Sequence, residues 1–117
     1  MSHMNVQQVG EMTVVEFTCP SLMDPIELEQ IAAQLYKLVD EQDKRQIVLD
    51  FEKVEYLASQ AIGILLAMQK KLSALKKSSL ILCGVGARLM ELLRITRLDR
   101  VLTIKPTQKE AVAKPAV

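Results

Sequence analysis

The chain has 117 residues, half of them apolar, with fifteen basic and fourteen acidic side chains and a formal charge of +1. That length fits one domain with one hydrophobic core, and the near balance of charge implies no long-range field to draw in a polyanion. The aromatics are only Phe17, Tyr36, Phe51 and Tyr56. Stacking platforms for bases or sugars are therefore missing, which argues against nucleic-acid and carbohydrate binding.

Met1-Ser2-His3 reads as an added leader before a native start at Met4, so residues 1–4 are set apart and the chain is treated as lacking histidine. Val6–Val9 and Thr13–Thr18 are β-prone, and Gly10-Glu11 between them predicts a hairpin. Cys19 to Pro25 is rich in breakers; Asp24 can cap a helix and Pro25 can occupy its first turn. From Ile26 to about Glu41, Leu28, Ile31, Ala32, Leu35, Leu38 and Val39 recur at three and four and predict one buried helical face.

Gln46–Phe51, with Ile47, Val48 and Leu49 in succession, reads as an interior strand. Glu52 to Leu57 is a connection. Gln60 to about Lys76 is a second helix, with Ile62, Leu65, Leu66, Leu72 and Leu75 inward. Ile64 and Met68 point to a different side, so either this helix is covered on two sides or it leaves an apolar strip open from Ser59 onward. Lys70, Lys71, Lys76 and Lys77 read as a solvated helix end that complements the dipole.

Ser79–Cys83 is another interior strand, Gly84-Val85-Gly86 a turn, Ala87 to Ile95 a third helix and Val101–Ile104 a last strand. Thr107 followed three residues later by Glu110 has the form of a capping box for a short terminal helix. Residues 114–117 are expected to fray. The order implies one α/β domain over residues 5–113. Its small mixed β-sheet begins with an N-terminal antiparallel hairpin, continues with parallel strands, and is layered with about four helices.

Catalytic chemistry finds little support. Without histidine there is no Ser-His or Cys-His pair, and Cys19 and Cys83 stand far apart with no metal-ligand spacing around them. They read as reduced thiols in or near the core. Gly84-Val85-Gly86 lacks both the third glycine of a dinucleotide fingerprint and the lysine of a P-loop. No enzyme, metal or cofactor is expected. The longest apolar run, Ala61 to Met68, has eight residues against the ~20 that span a bilayer, so no membrane insertion is expected. Asp50, near the end of an interior strand, sits where ligand-facing groups occur in open α/β sheets but has no partner carboxylate.

Ser59 is the most informative position. At a helix mouth its hydroxyl can act as an N-cap, worth ~1 kcal/mol, or as a phosphate acceptor, since free N–H groups and the helix dipole favour an anion there.

The blocks Val48-Leu49-Asp50-Phe51, Val54-Glu55-Tyr56-Leu57, Ser59, Ile62-Gly63-Ile64-Leu65 and Leu92 to Val101 resemble a STAS domain, the domain of bacterial anti-sigma-factor antagonists, stressosome proteins and the ends of sulfate transporters. The resemblance covers about Val6 to Ala113. It implies a cytoplasmic, non-enzymatic switch protein in transcription regulation, whose partner is a serine-kinase-type anti-sigma factor that phosphorylates the antagonist or is captured by its unphosphorylated form. The family's phosphoacceptor falls on Ser59, and Asp24 matches an aspartate near the same surface. The family's Asp-Ser-Ser-Gly or Asp-Ser-Thr-Gly stands here as Ala58-Ser59-Gln60-Ala61, which removes an acidic group and adds a side chain, and Arg97 replaces a frequent glycine. The partner surface expected on this basis comprises Asp24, Ala58, Ser59, Gln60, Ala61, Ile64 and Met68. The alternative is a STAS interaction or scaffold module of a signalling or transport complex that is not phosphorylated and in which Ser59 is only a cap. A homodimer through the second helix stays open.

Overall fold

A computed structural model describes residues 4–113; the expected leader and frayed tail lie outside them. The chain opens with β1 (Met4–Val9) and β2 (Met12–Phe17), paired antiparallel with Val9 opposite Met12. Gly10 supplies the positive φ, +61°, that so short a loop demands. β4 (Gln46–Asp50), β6 (Ser79–Cys83) and β7 (Thr103–Lys105) then add in parallel, giving the strand order β1-β2-β4-β6-β7. The expected mixed sheet is present.

Alternation along these strands divides the interior in two. Val15, Phe17, Ile47, Leu49, Leu80 and Leu82 face the helices α1 (Pro25–Asp40), α2 (Ser59–Ser73) and α3 (Ala87–Ile95). Val14, Val48, Ile81 and Cys83 face the other way, against Ala111 of α4 (Gln108–Ala113). β4 is covered on both sides, which is why Ile47, Val48 and Leu49 are all apolar. Phe17 and Phe51 pack with ring centroids 5.0 Å apart, an aromatic pair in a mostly aliphatic core.

Helix ends follow the side chains available. Asp24 caps α1, its Oδ1 accepting from Ile26 N at 3.0 Å, with Pro25 in the first turn. Thr107 Oγ1 accepts from Glu110 N at 3.2 Å and starts α4. α2 stops at Ser73, three residues before the expected end; Ser73 Oγ donates to Lys70 O and Ser78 Oγ to Leu75 O, occupying carbonyls that the next turn would need. Lys71 is not merely solvated. Its Nζ meets Asp40 Oδ2 at 2.8 Å and lies 5.0 Å from the Tyr36 ring centre, tying α2 to α1.

Two local features depart from expectation. The Glu52–Leu57 connection contains β5 (Tyr56–Leu57), which pairs in parallel with β3 (Ser21–Leu22) as a separate two-stranded ribbon. The last strand begins at Thr103 because Leu98–Arg100 forms a 3-10 turn first.

Candidate functional site

The parallel strands β2 and β4 deliver their C-terminal ends to one edge of the sheet, where the ribbon lies. Glu55 N and Tyr56 N both donate to Pro20 O, at 2.7 and 3.2 Å, and Ala58 N donates to Leu22 O at 3.0 Å. These bonds clamp the segment before α2 to the segment before α1. They bring Asp24 and the α2 N-terminus to the same end of the molecule.

Ser59 is the first helical residue of α2, and the N-cap is Ala58, which has no side chain able to cap. The capping role expected for Ser59 is therefore not what the structure shows: the helix starts one residue too early for it. The Ser59 side chain is exposed, and no hydrogen bond to its hydroxyl occurs among the described residues. Ala61 N and Ile62 N both reach Ala58 O, at 3.0 and 3.2 Å. The N–H groups of Ser59 and Gln60 find no backbone acceptor among the described residues, and no acidic side chain stands in the first turn of α2 to offset the positive end of the dipole.

The expected surface is thinned by burial. Asp24 and Gln60 are exposed and Ala58 is half-buried. Ala61, Ile64 and Met68 are core residues, with 4%, 8% and 0% of their surface exposed. α2 is wedged between the sheet and α1, and turning Leu65 and Leu72 inward at helical spacing carries Ala61, Ile64 and Met68 inward with them. Leu66, expected inside, is instead 40% exposed, and Ile62 is half-buried. The apolar strip that α2 leaves open is thus formed by Ile62 and Leu66, not by Ile64 and Met68.

Asp50 is buried and fully occupied. Its Oδ1 accepts from Glu52 N at 2.9 Å and its Oδ2 from Gln108 Nε2 at 3.0 Å, so it steadies the chain just beyond β4. Gly84 packs against it with φ +66°, where a Cβ would fall 2.9 Å from both Asp50 Oδ1 and Glu52 N. The glycine turn serves this close approach. Burial, then the negative charges of Asp50 and Glu52, push the Cys83 thiol up to about 12. Cys83 is buried, and both cysteines are free. Among the described residues no cluster of His, Cys, Asp and Glu could hold a metal ion, and no helix is long and apolar enough to cross a membrane.

The same fold recurs in solved structures. An anti-sigma-factor antagonist (STAS) domain protein from Planctomyces limnophilus matches with a TM-score of 0.85 at 27% identity, covering 97% of each chain. The Bacillus cell fate determinant SpoIIAA in its phosphorylated form matches with a TM-score of 0.73 at 21% identity, over 94% of this chain and 96% of that one. A sulfate transporter family protein from Wolinella succinogenes matches at 0.71 and 18%, over 90% and 84%. The family model for the STAS domain matches residues 3–111. With a hairpin leading into parallel strands and a serine at the mouth of the helix after the ribbon, the chain belongs to the STAS domain family.

Proposed function

We propose that the chain is a cytoplasmic, non-enzymatic regulator of the anti-sigma-factor antagonist type. It captures a serine-kinase-type anti-sigma factor through the end of the fold formed by Asp24, Ala58, Ser59 and Gln60, and phosphorylation of Ser59 switches that capture. The observation that carries this is the state of Ser59: an exposed hydroxyl with no hydrogen-bond partner among the described residues, above helix N–H groups that no acidic side chain offsets. A phosphate there brings about −1.5 to −2 charge to a helix end that favours it. A structural neighbour named as an anti-sigma-factor antagonist domain protein, and the Bacillus cell fate determinant SpoIIAA in its phosphorylated form, support the reading. Intact mass spectrometry after incubation with the cognate serine kinase and ATP tests it: one phosphate is expected on the wild type and none on Ser59→Ala. Absence of phosphate on the wild type overturns the switch.

A second reading, a STAS interaction module without phosphorylation, draws on Ala58 and Ala61 in place of the family's aspartate and glycine and on the likeness to a transporter-family protein. It expects partner capture to be indifferent to Ser59→Asp in a pull-down, whereas the switch expects capture to be lost.

A further inference from the structure

A groove of about 300 Å³ lies between the β3–β5 ribbon and α3. Leu57, Leu89 and Leu92 line it, and Met23, Tyr56 and Ile95 stand along it with 50%, 46% and 72% of their surface exposed. Scattered exposed apolar residues are ordinary, but several around one groove mark an interaction surface. We propose that this groove docks an amphipathic helix of a protein partner, apolar on the face that enters and basic where it leaves. The proposal rests on the reading of the chain as a protein-binding module and specifies the chemistry of the partner segment.

The rim sets the charge of the occupant. Glu55 and Glu91 border the groove, and neither forms an ion pair among the described residues. Arg88, the one cation on the rim, lies with its guanidinium carbon 5.0 Å from the Tyr56 ring centre, already stacked on a groove wall. The carboxylates are left to meet incoming positive charge, which sets orientation and association rate more than affinity.

Groove geometry sets the shape of the occupant. Strand addition is a poor fit, because each ribbon strand has two residues and offers few main-chain groups. α3 has nine residues, about 13 Å at 1.5 Å per residue. Helix-in-groove anchors at i, i+3 or i+4, and i+7 span about 10 Å. Leu57, on the groove wall, is two residues before Ser59, so a helix seated here adjoins the proposed switch.

Two synthetic helical peptides test the proposal by fluorescence anisotropy on the full chain. Both carry leucines at i, i+4 and i+7; one is flanked by lysines and the other by glutamates. The lysine peptide is expected to bind saturably and the glutamate peptide weakly. Ile95→Ser should weaken the lysine peptide about tenfold with little change in the melting temperature, since Ile95 is 72% exposed and the change adds no charge. The double change Glu55→Lys, Glu91→Lys should reverse the preference between peptides. Equal binding of both peptides, no saturation, or indifference to Ile95→Ser overturns the proposal. So does a monomer–dimer equilibrium in sedimentation that Ile95→Ser shifts to monomer, which would assign the groove to a second copy of this chain. Loss of peptide binding with Ser59 still phosphorylated removes this inference alone, and peptide binding with no phosphate on Ser59 removes the switch alone.

Discussion

At the mouth of α2, Ala58 and Ser59 share what one residue does in a capped helix: Ala58 holds the capping position without an acceptor, and Ser59 holds an acceptor one position too late. The registration separates a structural from a functional serine. Ser59→Ala should change unfolding free energy by less than ~0.5 kcal/mol, as for surface changes that break no specific contact, whereas Ala58→Ser should stabilise by ~1 kcal/mol by supplying the missing cap; urea denaturation of the two variants decides it. Sequence patterns put the serine at the right helix but could not fix the boundary to one residue, and one residue decides its role. Cys83 offers a second residue-scale test. Its folded pKa, about 12, lies above the ordinary thiol value of 9.0, so the fold prefers the protonated form. The stability tied to that preference is complete below pH 9 and is lost as pH rises from 9 through 12, by on the order of 1 kcal/mol per pH unit. Denaturant unfolding from pH 8 to 11 should show a shallower alkaline decline in Cys83→Ala than in the wild type.

Among the elements, the long periodic helices and the strands flanked by breakers were legible because each repeats its signal over several residues. The β3–β5 ribbon was not: two residues per strand are too few for alternation to appear, and its pairing is fixed by tertiary bonds to Pro20 O and Leu22 O. Burial around α2 is not legible from spacing for a related reason. Its sequence is apolar nearly all round, so spacing alone could not tell Met68, which is buried, from Leu66, which is not. The junction after α3 shows a residue working against its backbone. Arg97 has φ +62° and leads into the 3-10 turn, while Thr96 Oγ1 donates to Leu92 O at 2.8 Å, and Leu98 and Leu102 are buried on either side of the turn. The left-handed region costs an L-residue roughly 1–2 kcal/mol, so Arg97→Gly should stabilise the protein by about 0.5–1 kcal/mol after allowing for the entropy glycine loses. A raised midpoint of thermal unfolding checks it, and an unchanged or lowered one refutes it. The family glycine at this position was a sequence clue to the conformation, and the structure supplies its reason.

For the molecule as a whole, a formal charge of +1 implies no long-range field to draw in a polyanion. A sum says nothing about placement. Lys44, Arg45 and Lys77 stand with Glu11 and Asp43 where the parallel strands begin, and at the other end Lys53 lies between Glu52 and Glu55 and pairs with Glu16 at 3.8 Å. The two faces of the sheet are also unequally covered, three helices on one and the short α4 on the other, and a single carboxylate joins them at the edge. Asp50 holds the loop toward Ser59 with one oxygen and α4 with the other. For anyone handling this protein, the C-terminus is therefore not a neutral place for a fusion: a tag that levers α4 away would loosen, from behind the sheet, the loop that presents Ser59.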